Sequence, residues 1–220
     1  MPNPFAGLET EGGPLQAVRR FLRQAGRLDT LKHSAQVNAA ARKLKRRLWL
    51  ESPSPSGRPP EGGKDDRGEG ELYSIDLACT AHDLAAMVPL RQIIEVAEQF
   101  NVPLSAADRA IPQVVHGPVA AAVLAQKLGV TDENLLNAVR HHTTLRAHAS
   151  PLEQLVFIAD KIAHDPTARH TGFHPALLAA QNTASLPELC FIYLDWAVKD
   201  GPRLGWQLHP NLVEAWKWLR

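Results

Sequence analysis

Residues 74–87 read Ser-Ile-Asp-Leu-Ala-Cys-Thr-Ala-His-Asp-Leu-Ala-Ala-Met, two residues short of Pro89. Ser74 has the chemistry of an N-cap and Pro89 that of a stop, so the spacing predicts a short helix between them. On that helix Ile75, Cys79, His82, Asp83 and Ala86 share one face. An imidazole and a carboxylate side by side on a buried stripe are costly to desolvate unless something binds both, and a divalent cation suits both. A plain His-Asp hydrogen bond would satisfy the same dipeptide, so the decision passes to whether other segments supply further ligands.

The chain has 220 residues, 45% of them hydrophobic, and a formal net charge of +1. That length and composition suit a single core of useful size. The charge argues against nucleic acid as a partner, and the basic run Arg42 to Arg47 is expected to be the solvated face of a helix. Cys79 and Cys190 sit in apolar helical patterns without paired spacing, as in a reducing cytoplasm. No apolar run is long enough to cross a membrane, and Pro2, Pro4 and Gly7 stand where a signal peptide would need an apolar core.

Residues 1–13 are rich in Pro, Gly and polar residues and are expected to be a flexible extension before a domain spanning 14–220. Within 30–50, His33, Val37, Leu44 and Leu48 recur at helical spacing, which turns His33 inward. Residues 51–70 have no periodicity and almost nothing apolar, and are expected to be a disordered loop. Pro112 and His116-Gly117-Pro118 interrupt a helix, freeing the His116 ring from any stripe. After a stop at Gly129 and a cap at Thr131, Leu135, Ala138, Val139 and His142 share a face that His141 does not. Ser150-Pro151-Leu152-Glu153 is a capping box opening a helix through Ala163, with Asp160 on its apolar stripe. No strand-like alternation appears, so the fold class is all-α, an array of eight to ten helices.

Singly, His33, His82, Asp83, His116, His142 and Asp160 each have an ordinary explanation as core hydrogen-bonding groups. Together, four imidazoles and two carboxylates on separate segments point to a binuclear site. A donor set without thiolate suits iron, manganese, cobalt, nickel or zinc. Asp83, next to His82 and central in the chain, is the natural bridge between two cations.

The order of these residues resembles the HD-domain metallophosphohydrolases. Their surroundings resemble the YqeK type: Leu31-Lys32-His33-Ser34, Ala81-His82-Asp83, His116-Gly117-Pro118, His141-His142-Thr143-Thr144 and Ala159-Asp160-Lys161-Ile162. The resemblance implies an HD fold and symmetric hydrolysis of diadenosine tetraphosphate to two ADP, using hydroxide activated by a binuclear centre, most often of iron. By position it places His33, His82, Asp83 and Asp160 on one metal and Asp83, His116 and His142 on the other. Arg140, Thr143, Thr144 and Arg146 become substrate contacts, and a homodimer stays open.

Three departures bear on substrate rather than on metal. Ala86 stands where the family has a lysine three residues after the His-Asp pair. Thr30 replaces an arginine three residues before His33, with Lys32 and Arg27 nearby. Residues 163–169 also differ from the family pattern. A weakly active nucleotide sensor and a different nucleotide phosphohydrolase are therefore the competing functions, with a metal-free helical interaction module as the third.

Overall fold

The computed structural model describes residues 3–51, 66–163 and 175–220. Among these residues it contains eleven α-helices, four short 3-10 turns and no strand. Two of the helices, α5 (Ala106–Ala110) and α9 (Pro175–Ala180), are barely more than a turn, so the expected eight to ten describes the substantial ones. No helix among the described residues is long and apolar enough to cross a membrane.

The long α2 (Leu28–Glu51) is the spine. It packs along α3 (Asp66–Ala81) on one side and α8 (Pro151–Ala163) on another. Val37, Ala41 and Leu44 recur on its buried stripe, as the helical period requires. Asn38 and Arg42, on a neighbouring face, clamp Asp76 of α3 at 2.9 and 2.8 Å. α7 (Glu133–Arg140) lies against α8 and against α6 (His116–Leu128), which is buried along much of its length through Val119, Ala120, Val123 and Leu124. α6 stops at Gly129, whose left-handed φ of 65° closes the helix at little steric cost. α10 (Leu186–Asp200) and α11 (Pro210–Leu219) cover the far end. α10 opens with a reciprocal capping box between Ser185 and Glu188, and α11 opens with His209 as its N-cap and Pro210 in its first turn.

Four local expectations are corrected. Residues 3–13 are ordered: Phe5 is fully buried between Phe21 of α1 (Pro14–Gln24) and Phe100, and Leu8 is buried too. Two apolar anchors outweigh the Pro and Gly around them, since burying one such side chain contributes about 1.5 to 3 kcal/mol. Part of the segment 51–70 is helical. Glu51 closes α2 and α3 already begins at Asp66, where acidic residues suit a helix N-terminus; residues 52–65 lie outside the described residues. Ser74 is therefore inside α3 and caps nothing. Asp132, not Thr131, caps α7, accepting from the amides of Asn134 and Leu135 at 2.9 and 3.3 Å. The altered stretch 164–169 lies outside the described residues.

Candidate metal centre

The six predicted ligands come from five segments and meet at one place. His33 lies in the second turn of α2 and Asp160 near the end of α8. His116 opens α6, just after a 3-10 turn at Pro112–Val114. His82 and Asp83 are not on a helical stripe: α3 ends at Ala81, and Asp83 starts the 3-10 turn Leu84–Met87. His142 likewise lies in a turn, because α7 ends at Arg140. Helix phase selected the inward residue correctly at 142, but a turn delivers it. That turn is held by Leu145, a buried residue with a left-handed φ of 56°, a conformation that costs a leucine about 1 to 2 kcal/mol.

Asp83 divides its carboxylate between two groups of histidines. Oδ2 lies 3.9 Å from His33 Nε2 and 3.5 Å from His82 Nε2. Oδ1 lies 3.2 Å from His116 Nε2 and 3.5 Å from His142 Nε2. Asp160 joins the first group, its Oδ1 at 2.9 Å from His33 Nε2 and 3.6 Å from His82 Nε2. His82, His142 and Asp160 are buried, whereas His33, Asp83 and His116 each keep about a fifth to a quarter of their side-chain surface. The cluster thus has a closed floor and an open mouth.

The imidazoles are oriented from behind in a common way. His82, His116 and His142 each direct Nδ1 to the carbonyl three residues earlier, of Cys79, Gln113 and Val139, at 2.8, 2.7 and 2.8 Å. A carbonyl can only accept, so each Nδ1 carries a proton, and in its neutral form each ring turns an Nε2 lone pair into the cluster. Two such lone pairs, on His116 and His142, face each other at 3.0 Å, and His82 Nε2 is buried without a hydrogen-bond partner. Converging lone pairs with no proton between them repel, and a buried orphan nitrogen is costly. A cation relieves both, and the nitrogen and carboxylate donors fit a divalent metal of the first transition row. Geometrically, His33, His82 and Asp160 form one group able to hold an ion and His82, Asp83 and His142 another.

Electrostatics without a cation show the same strain. Burial pushes the His82 imidazole down, but the Asp83 and Asp160 carboxylates outweigh it and lift it to about 9. Burial takes His142 down to about 4. Asp83, despite its desolvation, is held well below the carboxylate range by His82, His116 and His142. Lys161 sits behind Asp160, its Nζ 2.6 Å from Oδ2 and stacked over the Phe157 ring, which leaves Oδ1 to face the histidines. Burial opposes its charge, but the Asp160 carboxylate keeps its pKa raised.

The four predicted substrate contacts are less free than their motif suggests. Arg146 pairs with both oxygens of buried Glu153 at 2.7 and 2.8 Å, and the same carboxylate closes the Ser150 capping box. Arg140 donates to Asn137 Oδ1. Thr143 Oγ1 lies 3.2 Å from His142 Nε2, and Thr144 donates to the Leu145 carbonyl at 2.9 Å. The three backbone carbonyls behind the histidines belong to no side-chain motif. Their signal is the constant spacing of three residues before each ligand at a helix boundary.

Comparison with known proteins bears on the family. The HD domain family model matches residues 30–165, a span holding all six ligands. The chain is 33% identical over 136 residues to an uncharacterized protein encoded in the pepC 5' region of Lactococcus lactis subsp. cremoris, covering 62% of this chain and 67% of that one. It is 31% identical over 123 residues to a symmetrical bis(5'-nucleosyl)-tetraphosphatase of Staphylococcus aureus, covering 56% of this chain and 62% of the relative. The aligned part thus spans about two thirds of the length of these relatives. The crystal structure of a predicted HD superfamily hydrolase involved in NAD metabolism from Clostridium acetobutylicum superposes with a TM-score of 0.73 at 25% identity, over 93% of this chain and 95% of the other. With the family model spanning more than half of its length, this chain belongs to the HD-domain family, as a phosphohydrolase of the YqeK type.

Proposed function

We propose that the chain is a metal-dependent hydrolase that cleaves diadenosine tetraphosphate symmetrically to two ADP. The observation that carries the binuclear part is the division of Asp83, with one oxygen turned toward His33 and His82 and the other toward His116 and His142. In this reading His33, His82, Asp83 and Asp160 hold one cation, and Asp83, His116 and His142 hold the second. Iron is the leading candidate; manganese, cobalt and nickel suit the same donors. Bound there, two divalent cations would lower the pKa of an attacking water and neutralise charge growing on the phosphoryl group. The chain's own contribution is to keep three imidazoles in one tautomer through the Cys79, Gln113 and Val139 carbonyls. The name of the Staphylococcus relative supports the substrate.

The test is product analysis with metal-reconstituted protein, by chromatography of a diadenosine tetraphosphate digest. ADP as sole product is expected. Equal amounts of ATP and AMP would overturn the symmetric assignment, and no turnover with two metals bound would favour a sensor. One observation favours a second reading, another nucleotide phosphohydrolase: Ala86, exposed near the mouth, stands where a lysine is expected. Faster turnover of a mononucleotide than of the dinucleotide would select it.

A further inference from the structure

The formal net charge of +1, which as a total argues against nucleic acid, hides an uneven distribution. Residues 14–47, spanning α1 and most of α2, hold ten Lys and Arg against the single acid Asp29; the remainder of the chain holds fourteen against twenty-two Asp and Glu. Such asymmetry makes one part of a molecule attractive to polyanions. Some of this charge is used inside the fold. Arg42 clamps Asp76, Lys45 pairs with Glu71, Arg20 donates to the Glu9 and Glu11 carbonyls, and Arg47 donates to the Ala184 carbonyl. Arg19, Arg23, Lys43 and Arg46, by contrast, have no hydrogen bond or close ion pair among the described residues. On α2 the exposed positions Ala35, Ala39, Lys43 and Arg46 follow one another at helical spacing, a stripe about 16 Å long. On α1 Arg19 and Arg23 stand one turn apart, on the side away from the buried Ala17, Val18, Phe21 and Leu22. Between the two helices lies a hollow of about 400 Å³, lined by Arg19 from α1, by Ala35, Ala39 and Arg42 from α2, and by Asp76 and Thr80 from α3. None of the six candidate metal ligands is among its lining residues.

What such a face can hold follows from its chemistry. None of the exposed large apolar side chains among the described residues belongs to either stripe. A protein partner needs aromatic or aliphatic anchors at the centre of its interface, and attachment to a bilayer surface needs an apolar face beside the charge. Single-stranded nucleic acid needs rings on which its bases stack. The phosphate backbone of a duplex needs none of these, because its affinity comes from cations that release its counterions. Ala35 and Ala39 keep the middle of the α2 stripe low, so that a strand can lie against the helix between the cations. The acidic balance of the remaining chain repels the same polyanion elsewhere and so orients its approach. We infer that the face formed by α1 and α2 docks the backbone of a nucleic-acid duplex, without reading its sequence, through Arg19, Arg23, Lys43 and Arg46.

Fluorescence anisotropy of a labelled DNA duplex, titrated with the metal-containing full chain over a salt series, tests it. Binding in roughly the micromolar range is expected at low salt, with log K falling against log salt at a slope of about −3 to −4 for four phosphate contacts. Two duplexes of unrelated sequence should bind equally. Lys43→Gln combined with Arg46→Gln changes two exposed helical positions that glutamine suits. The double variant should weaken binding at least about tenfold and flatten the slope by about 2 units. Its metal content should stay unchanged, since neither residue belongs to the metal centre. No binding at low salt overturns the assignment, and so does an affinity or a slope that the double variant leaves unaltered. Tighter binding to one of the single strands overturns the choice of a duplex. Tighter binding to phosphatidylserine vesicles, lost in the double variant, gives the face to a membrane surface instead.

Discussion

Gly117 lies so close to Arg140 that a Cβ built on it would sit 2.7 Å from the Arg140 carbonyl oxygen and 3.1 Å from that of Val139. The contact is with backbone, which cannot swing aside. It lets the start of α6 rest directly on the end of α7, and so brings His116 Nε2 within 3.0 Å of His142 Nε2. Gly117→Ala should force these two ends apart. The expected cost is about 1 to 3 kcal/mol of stability, with loss of one metal per chain. A thermal melt and elemental analysis check both, and an unchanged metal content would separate the packing from the site.

Asp83→Ala should be the most damaging ligand change. It removes the one group among the described residues within 4 Å of all four histidines, leaving two cations without a shared counter-charge. Loss of both metals and of all hydrolysis is expected. Retention of two metals per chain by elemental analysis would show that Asp83 is not the bridge.

Neighbouring histidines should behave oppositely. His142 turns Nε2 toward Asp83, whereas His141 lines a separate small cavity with Asp108 and His209, where burial holds its imidazole at about 4 and hence neutral. His142→Ala should lose metal and activity; His141→Ala should keep its metal content. Equal loss in the two, measured by metal analysis, would contradict the geometry.

Lys161 acts through Asp160. Lys161→Met keeps the bulk over Phe157 but frees the Asp160 Oδ2 that the ammonium holds at 2.6 Å. Metal affinity should fall about 10- to 100-fold, the usual effect of losing a group that orients a ligand. Competition with a chelator reads this directly, and an unaltered affinity would reduce Lys161 to a packing residue.

The clamp between α2 and α3 gives a pH dependence of stability. Burial alone would raise the Asp76 carboxyl, but hydrogen bonds from Arg42 and Asn38 and the charge of Arg42 bring it below its ordinary value. A carboxyl lowered in the folded state adds stability above the unfolded value near pH 4, and that stability is lost as pH falls through the folded value. Arg42→Ala should therefore move the acid-unfolding midpoint to higher pH. Urea denaturation across a pH series measures it, and coincident acid limbs for variant and wild type would rule it out.

What the sequence determined by itself is the class of the fold and the six residues that stand as candidate ligands. Helical periodicity and the boundary residues Gly129, Ser150, Ser185 and Pro210 act within a few residues along the chain, so they are legible without tertiary structure. The ligand motifs carry the family resemblance for the same reason. Tertiary packing decided the rest. Phe5 is ordered only because Phe21 and Phe100 meet around it. Arg146 is claimed by Glu153, a residue that local pattern marks merely as a helix cap. Asp83 can face two groups of histidines only because α3 stops before it, and no count of residues contains the angle at which its oxygens divide. Periodicity reports which side of a helix is buried; distances between ligands on five segments depend on how those segments cross, and that is settled by side-chain volumes throughout the core.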